Sequence, residues 1–313
     1  MSGPHRPAEP HRPLDMPLDR PLDAPCHLID TPVGRVAVYR ADPPAGAASG
    51  LPPLVLVHSV NAAASVAEVA PLFEHYRQSR PVLALDLPGY GHSDRPAIAY
   101  TPRHMTDALH AVIASVGGPV ETPVDLLGVS LGSEFVVRAA VERPGSVRRV
   151  ALVTPTGLSG RRRRHGPPGT TLAMPWLQRW LAHPTRGEWL FRQLTRPGVI
   201  RYFLRRTFGS PTIDERLWAA AVATARQPGA RHAPLSFISG GLFSADINTL
   251  YEQIEVPVWA SLATRGDFTD FRGRDSLAGR PGWRFETVPG GALPYFADLA
   301  AFTARLDPFW REA

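Results

Sequence analysis

The chain contains no lysine; all 34 of its basic residues are arginine. That absence removes Schiff-base and lysine-nucleophile chemistry, because both need an ε-amine. It also removes the lysine of phosphate-binding loops. Cysteine is nearly missing too: Cys26 alone cannot close an internal disulfide or furnish a cysteine-rich metal site. No apolar run approaches the roughly 18 residues that would suggest a membrane span. The N-terminal stretch lacks an apolar segment of signal-peptide type, so a cytoplasmic location is expected. There is no H-x-x-x-H pair and no G-x-G-x-x-G after the first strand, so no metal or cofactor is expected. Histidine stops early, with none after His232.

What remains is ordinary for a folded domain: 313 residues, 44% hydrophobic and 20% charged. Abundant arginine travels with abundant proline and alanine, which reads as a compositional trait. One region exceeds it. Between Leu158 and Gly209 eleven arginines accompany a single acid, Glu188. Such a surplus either steers an anionic substrate or acidic surface or lies on solvated helix faces. No nucleic-acid-binding fold stands behind it, so the expected partner is a small molecule, with the oligomeric state open.

Residues 1–25 are proline-rich, with P-L-D recurring every four residues. Proline removes backbone donors, so an unstructured tail is expected there. From residue 27 the pattern changes. HLIDT and RVAVYR flank a turn and predict a hairpin. Short apolar runs then alternate with helical stretches: LVLVH (54–58), VLALD (82–86), VDLL (124–127) and VALVT (150–154). This alternation predicts a mostly parallel sheet with helices on both faces. It stops after residue 157 for about ninety residues and resumes with VPVWASL (256–262) and WRFETV (283–288). The organisation expected is a core over 26–157 and 250–313, interrupted by a helical insertion over 158–249. Trp176, Leu177, Trp180 and Leu181 fall at helix spacing in the insertion, and the stripe reads as core packing on the underside of a lid.

The strongest local signal is LLGVSLGSEF (126–135), a G-x-S-x-G between a strand and a helix. Ser130 then sits on a sharp strand-to-helix turn, and Gly128 and Gly132 remove side chains that would clash there. With this motif in that context, the chain resembles the α/β-hydrolase superfamily, in its branch with a helical cap. LVLVHSVNAAAS and ALDLPGYGHSDRP extend the resemblance, which covers residues 27–313. It implies an eight-stranded sheet, a serine hydrolase with Ser130 as nucleophile, and an oxyanion hole from the N–H groups of Val60 and Leu131. Ser59 stands where the family usually has glycine, and Asn61 is either a further donor or a turn residue. The acid implied is Asp267, with Asp270 the alternative or a loop-capping carboxylate.

The family's histidine should follow the eighth strand in a pattern like P-x-x-G-H-x-P. PGGALPYF (289–296) keeps the flanking Gly291 and Pro294 but carries Ala292 in the histidine's place. Serine without a base is a poor nucleophile, and three readings follow. The first is a serine hydrolase whose base is supplied by an insertion histidine, His165, His183 or His232, with His92 a weaker option and His58 structural. The second is a non-catalytic protein that binds a small, apolar or anionic ligand. The third is a non-hydrolytic reaction using the oxyanion hole and Asp267.

Overall fold

A computed structural model describes residues 18–47, 50–116, 122–160, 163–267 and 269–312. The chain forms one eight-stranded sheet in the order β1-β2-β4-β3-β5-β6-β7-β8. The strands are β1 (Cys26–Thr31), β2 (Gly34–Ala41), β3 (Leu54–Val57), β4 (Val82–Leu85), β5 (Val124–Val129), β6 (Val147–Val153), β7 (Val258–Ala263) and β8 (Trp283–Val288). β1 and β2 form the expected hairpin, and β2 pairs antiparallel with β4; every other pairing is parallel. Strands β3, β4, β5 and β7 are buried along their whole length. That is why their sequences run apolar without the alternation of a half-wet strand.

Successive residues still point to opposite faces. Val55 and Val57 enter one core with α2 (Pro102–Val116), α3 (Gly132–Glu142) and α9 (Ile247–Gln253), whereas Leu54 and Leu56 enter the other. That second core holds α1 (Ala70–Tyr76) and α10 (Leu299–Arg311). The chain runs from β3 outward to β4 and then returns to place β5 on the far side of β3. Such a reversal leaves a crevice at the carboxyl ends of β3 and β5, where open α/β sheets bind ligands.

Between β6 and β7 lie α4 (Pro175–Ala182), α5 (Pro184–Leu194), α6 (Pro197–Phe208), α7 (Glu215–Ala225) and α8 (His232–Ile238), ahead of α9. Leu181, Phe191, Ile200 and Leu235 close a third, smaller cluster among them. The reading of the tryptophan stripe as wholly inward is corrected here. Leu177 and Leu181 face the cluster, but Trp176 and Trp180 are exposed. They occupy the adjacent i,i+4 row, and one neighbouring layer covers only one row of a stripe that wide.

Residues 1–17 of the proline-rich segment lie outside the described residues. Its end is docked: Leu22 is buried in the second core, and the Leu18 carbonyl meets His92 Nε2 at 2.9 Å. Among the described residues no helix is long and apolar enough to cross a membrane.

Candidate active site

β5 runs straight into Ser130, whose φ is +51°. Among the described residues only Thr154 shares a positive φ without being glycine. Holding a side-chain-bearing residue there costs on the order of 1–3 kcal/mol and needs surroundings that over-determine it. Ser130 N–H donates to the Val153 carbonyl of β6 at 2.8 Å, and the Ser130 carbonyl accepts from Ser133 N–H at 3.1 Å. The two glycines have distinct duties. A Cβ on Gly128 would lie 2.7 Å from Val136 Cγ2, and one on Gly132 would run into the His58 carbonyl oxygen. The strand end at His58 and the start of α3 are therefore in direct backbone contact. Thr154, at the end of β6, donates from Oγ1 to the Ala292 carbonyl at 2.9 Å.

The close approach of Gly132 to His58 brings the loop after β3 beside the elbow. Ser59 N–H donates to the buried carboxylate of Glu68 at 2.9 Å, which pins the loop. The N–H groups of Val60 and Leu131 make no hydrogen bond to a described residue. Asn61 is committed elsewhere: its amide donates to Glu68 at 2.6 Å and its carbonyl accepts from Ala63 N–H at 2.8 Å. It shapes the turn.

Ala292 is buried, and its N–H donates to the Thr207 carbonyl in the last turn of α6 at 2.7 Å. The preceding Gly291 is pressed so closely on Thr207 and Phe208 that a Cβ would overlap them. Phe208 also packs against Phe296, ring centroids 5.5 Å apart. The end of α6 thus abuts the loop in which the histidine was sought. Arg206, directly before Thr207, grips Asp267 through two hydrogen bonds, Nε to Oδ2 and Nη2 to Oδ1. Asp270 accepts from Ser159 Oγ and Arg272 Nε, both at 2.9 Å. The Arg272 and Ser159 bonds hold its carboxyl well below the usual carboxylate range.

A cleft of about 680 Å³ opens beside Ser130, and its walls include Thr154, Thr156, Ser159, Arg164, Asp267 and Arg272. Arg164 enters it with an unusual foundation. Its Nη1 donates to Glu134 Oε1 at 2.9 Å, and its guanidinium lies over the Phe243 ring at 5.6 Å. Glu134, in the first turn of α3, is fully buried; it also accepts from Thr156 Oγ1 and, at 2.8 Å, from Ser244 N–H. A buried carboxylate with three donors positions the cation precisely where it borders the cleft, because leaving either charge unpaired there is costly. Arg164 Nε and Nη2 make no hydrogen bond to a described residue. Reading the sequence missed this pair. Glu134 stood in view four residues after Ser130, but Arg164 was hidden in the run RRRR.

No described histidine borders the cleft. His58 is buried, accepting from Leu87 N–H at Nε2 (3.0 Å) with Nδ1 at 2.5 Å from the Ser59 carbonyl. His92 bridges Tyr39 and Leu18. His165 pairs with Glu252 at 3.0 Å, and His183 is exposed between α4 and α5. His232 opens α8, where burial and then Arg231 push its imidazole pKa down. The Ser130 hydroxyl itself makes no hydrogen bond to a described residue. Among the described residues no group of three or more His, Cys, Asp and Glu is arranged to hold a metal ion.

The same architecture recurs in solved structures. A probable hydrolytic enzyme from Pseudomonas aeruginosa PAO1 superposes with a TM-score of 0.73 at 17% identity, covering 93% of this chain and 96% of that one. The enol-lactonase from Burkholderia xenovorans LB400 gives 0.67 at 18%, covering 91% and 100%. At such identities the likeness is one of fold. In sequence, 101 residues are 32% identical to the (E)-2-((N-methylformamido)methylene)succinate hydrolase of Acinetobacter baylyi, covering 32% of this chain and 36% of that protein. The chain thus spans about a third of the length of that curated relative. Residues 54–306 match the pattern described as "Alpha/beta hydrolase family", and with most of its length so matched this chain belongs to that family.

Proposed function

We propose that the chain binds a small carboxylate-bearing molecule in the Ser130 cleft and does not hydrolyse esters through a serine triad. The observation that carries this reading is the environment of Ser130: its hydroxyl has no described base beside it, and no described histidine borders the cleft. Loss of the histidine from a serine triad lowers turnover by about a million-fold. Asp267 has both oxygens engaged by Arg206, so a role as base would first require that solvent-exposed pair to part.

The ligand class follows from the donors. Arg164, fixed by Glu134, presents a planar cation suited to a carboxylate. The free N–H groups of Val60 and Leu131 suit a carbonyl or carboxylate oxygen at the elbow, next to the start of α3. Consistent with an acidic small molecule, the Acinetobacter relative is named for a succinate derivative.

A second reading, hydrolysis or a related acyl reaction at Ser130, is favoured by the retained φ of +51° at that residue, a strain of the kind that collects at functional sites. An active-site fluorophosphonate separates the two. The proposal expects Ser130 to stay unlabelled while a control esterase reacts, and succinate or glutarate to raise the melting temperature of wild type and of Ser130→Ala alike. Stoichiometric labelling at Ser130 would establish the hydrolase reading instead.

A further inference from the structure

The exposed sides of α4, α5 and α6 carry apolar side chains that the core does not use, Tyr202 alone being tied through Arg206 to Asp267 of the cleft. Nine large apolar side chains are exposed among the described residues, and seven of them fall within 172–203. Five are aromatic: Trp176, Trp180, Trp189, Tyr202 and Phe203, with Trp176 65% and Trp189 59% exposed. These helices have already satisfied their packing on another side, through Leu177 and Leu181, Phe191, and Ile200 and Leu204. The aromatics are therefore a second apolar row turned to solvent, and solitary exposed apolar residues do not account for a cluster of this kind.

Arginine is interleaved with them. Arg179 lies one turn after Trp176 and directly precedes Trp180, and Arg186 and Arg192 flank Trp189 at i±3. Glu188, the one acid of the segment, is already shared between Arg192 and Arg231. Arg179, Arg186, Arg196 and Arg205 are exposed and make no salt bridge to a described residue.

From this arrangement we infer that the α4–α6 surface docks the protein on an anionic lipid interface. Indole and phenol rings settle at the headgroup level, apolar body inward and polar edge in water. Interleaved arginines meet the lipid phosphates, and helices with aromatic and basic residues on one side lie in the plane of the membrane. Charge complementarity selects this occupant over a second copy of the chain, since a two-fold contact would set the same arginine-rich face against itself. Single-stranded nucleic acid would call for a basic groove lined by aromatics, and these residues stand on the outside of the helices. The inference is independent of what the cleft binds.

Co-sedimentation of the full chain with phosphatidylcholine vesicles, with and without phosphatidylserine, tests it. Binding is expected only with phosphatidylserine, accompanied by a blue shift of tryptophan emission and reversal by salt. Arg179→Gln and Arg186→Gln should each weaken partitioning about fivefold. Trp176→Ala/Trp189→Ala should sharply reduce the blue shift, leaving the contribution of Trp180, while the melting temperature holds, because both side chains are exposed. The inference is overturned by absence of binding to phosphatidylserine vesicles. It is equally overturned if the wild type is a dimer that the double tryptophan variant splits, or if the chain retains an oligonucleotide but not vesicles.

Discussion

The backbone N–H of Ala292 donates to the carbonyl of Thr207 at 2.7 Å, tying the loop after β8 to the last turn of α6. Around residue 292 the chain has a buried methyl group, a backbone hydrogen bond and the end of α6. Ala292→His therefore meets a filled site. It should destabilise the protein by about 1–3 kcal/mol, the range for overpacking a closed interior. Hydrolysis of p-nitrophenyl acetate should rise less than that of a double variant that adds Arg206→Gln, because only the latter frees Asp267 to orient the new imidazole. Urea unfolding and ester turnover, measured on both variants, check the two statements.

Gly132→Ala should be among the most damaging single-methyl changes in the chain. The added Cβ would overlap the His58 carbonyl oxygen, and neither partner there is a flexible side chain. A loss of about 1–3 kcal/mol is expected. Gly145→Ala is the control, since nothing lies within 4 Å of a Cβ at that position. Denaturant midpoints of the two variants should differ clearly.

Glu134→Gln removes the negative partner of Arg164 beneath the cleft. Breaking a buried ion pair from one side costs about 3–5 kcal/mol, and the Glu134 side chain is completely buried. Succinate-induced stabilisation should also fall, because the guanidinium loses the contact that aims it. A variant that unfolds more easily yet retains the full succinate effect would separate the structural duty of Glu134 from the positioning one.

His92 makes part of the stability depend on pH. The Asp86 carboxylate raises its pKa, with the Leu18 carbonyl adding to the effect against the opposing influence of burial. A raised histidine contributes fully below its unfolded value, about 6.5. The contribution disappears as pH rises through the folded value. Wild type should therefore lose melting temperature relative to His92→Gln between pH 6 and pH 8 (about the range bracketing that transition). Parallel pH profiles of the two proteins would remove His92 as the cause.

Much of the architecture was legible because burial on both faces leaves an unmistakable trace. LVLVH, VLALD and VDLL read as strands of a covered sheet, and G-x-S-x-G placed the turn at Ser130. The insertion was less readable. Residues 176–181 carry a stripe wide enough for two neighbours, and sequence spacing does not say that only one is present. The pairing of Asp267 was also hidden, since Arg206 lies 61 residues away and one arginine among eleven carries no mark of its partner. Ala292 stood out within PGGALPYF, but what lies against it depends on where the end of α6 comes to rest.

The Glu134 network has a consequence for how a ligand enters. Its donors come from both roots of the insertion, Arg164 before α4 and Ser244 after α8, and both fasten to one carboxylate of the core helix α3. A hinge that swung the whole insertion away would strip Arg164 from a buried anion. Opening of that kind is penalised at the hinge itself. The lining at residues 267 and 269–272 is held differently, by ion pairs that are solvent-exposed and part at little cost. The cleft is a pocket with a fixed back wall and a yielding rim.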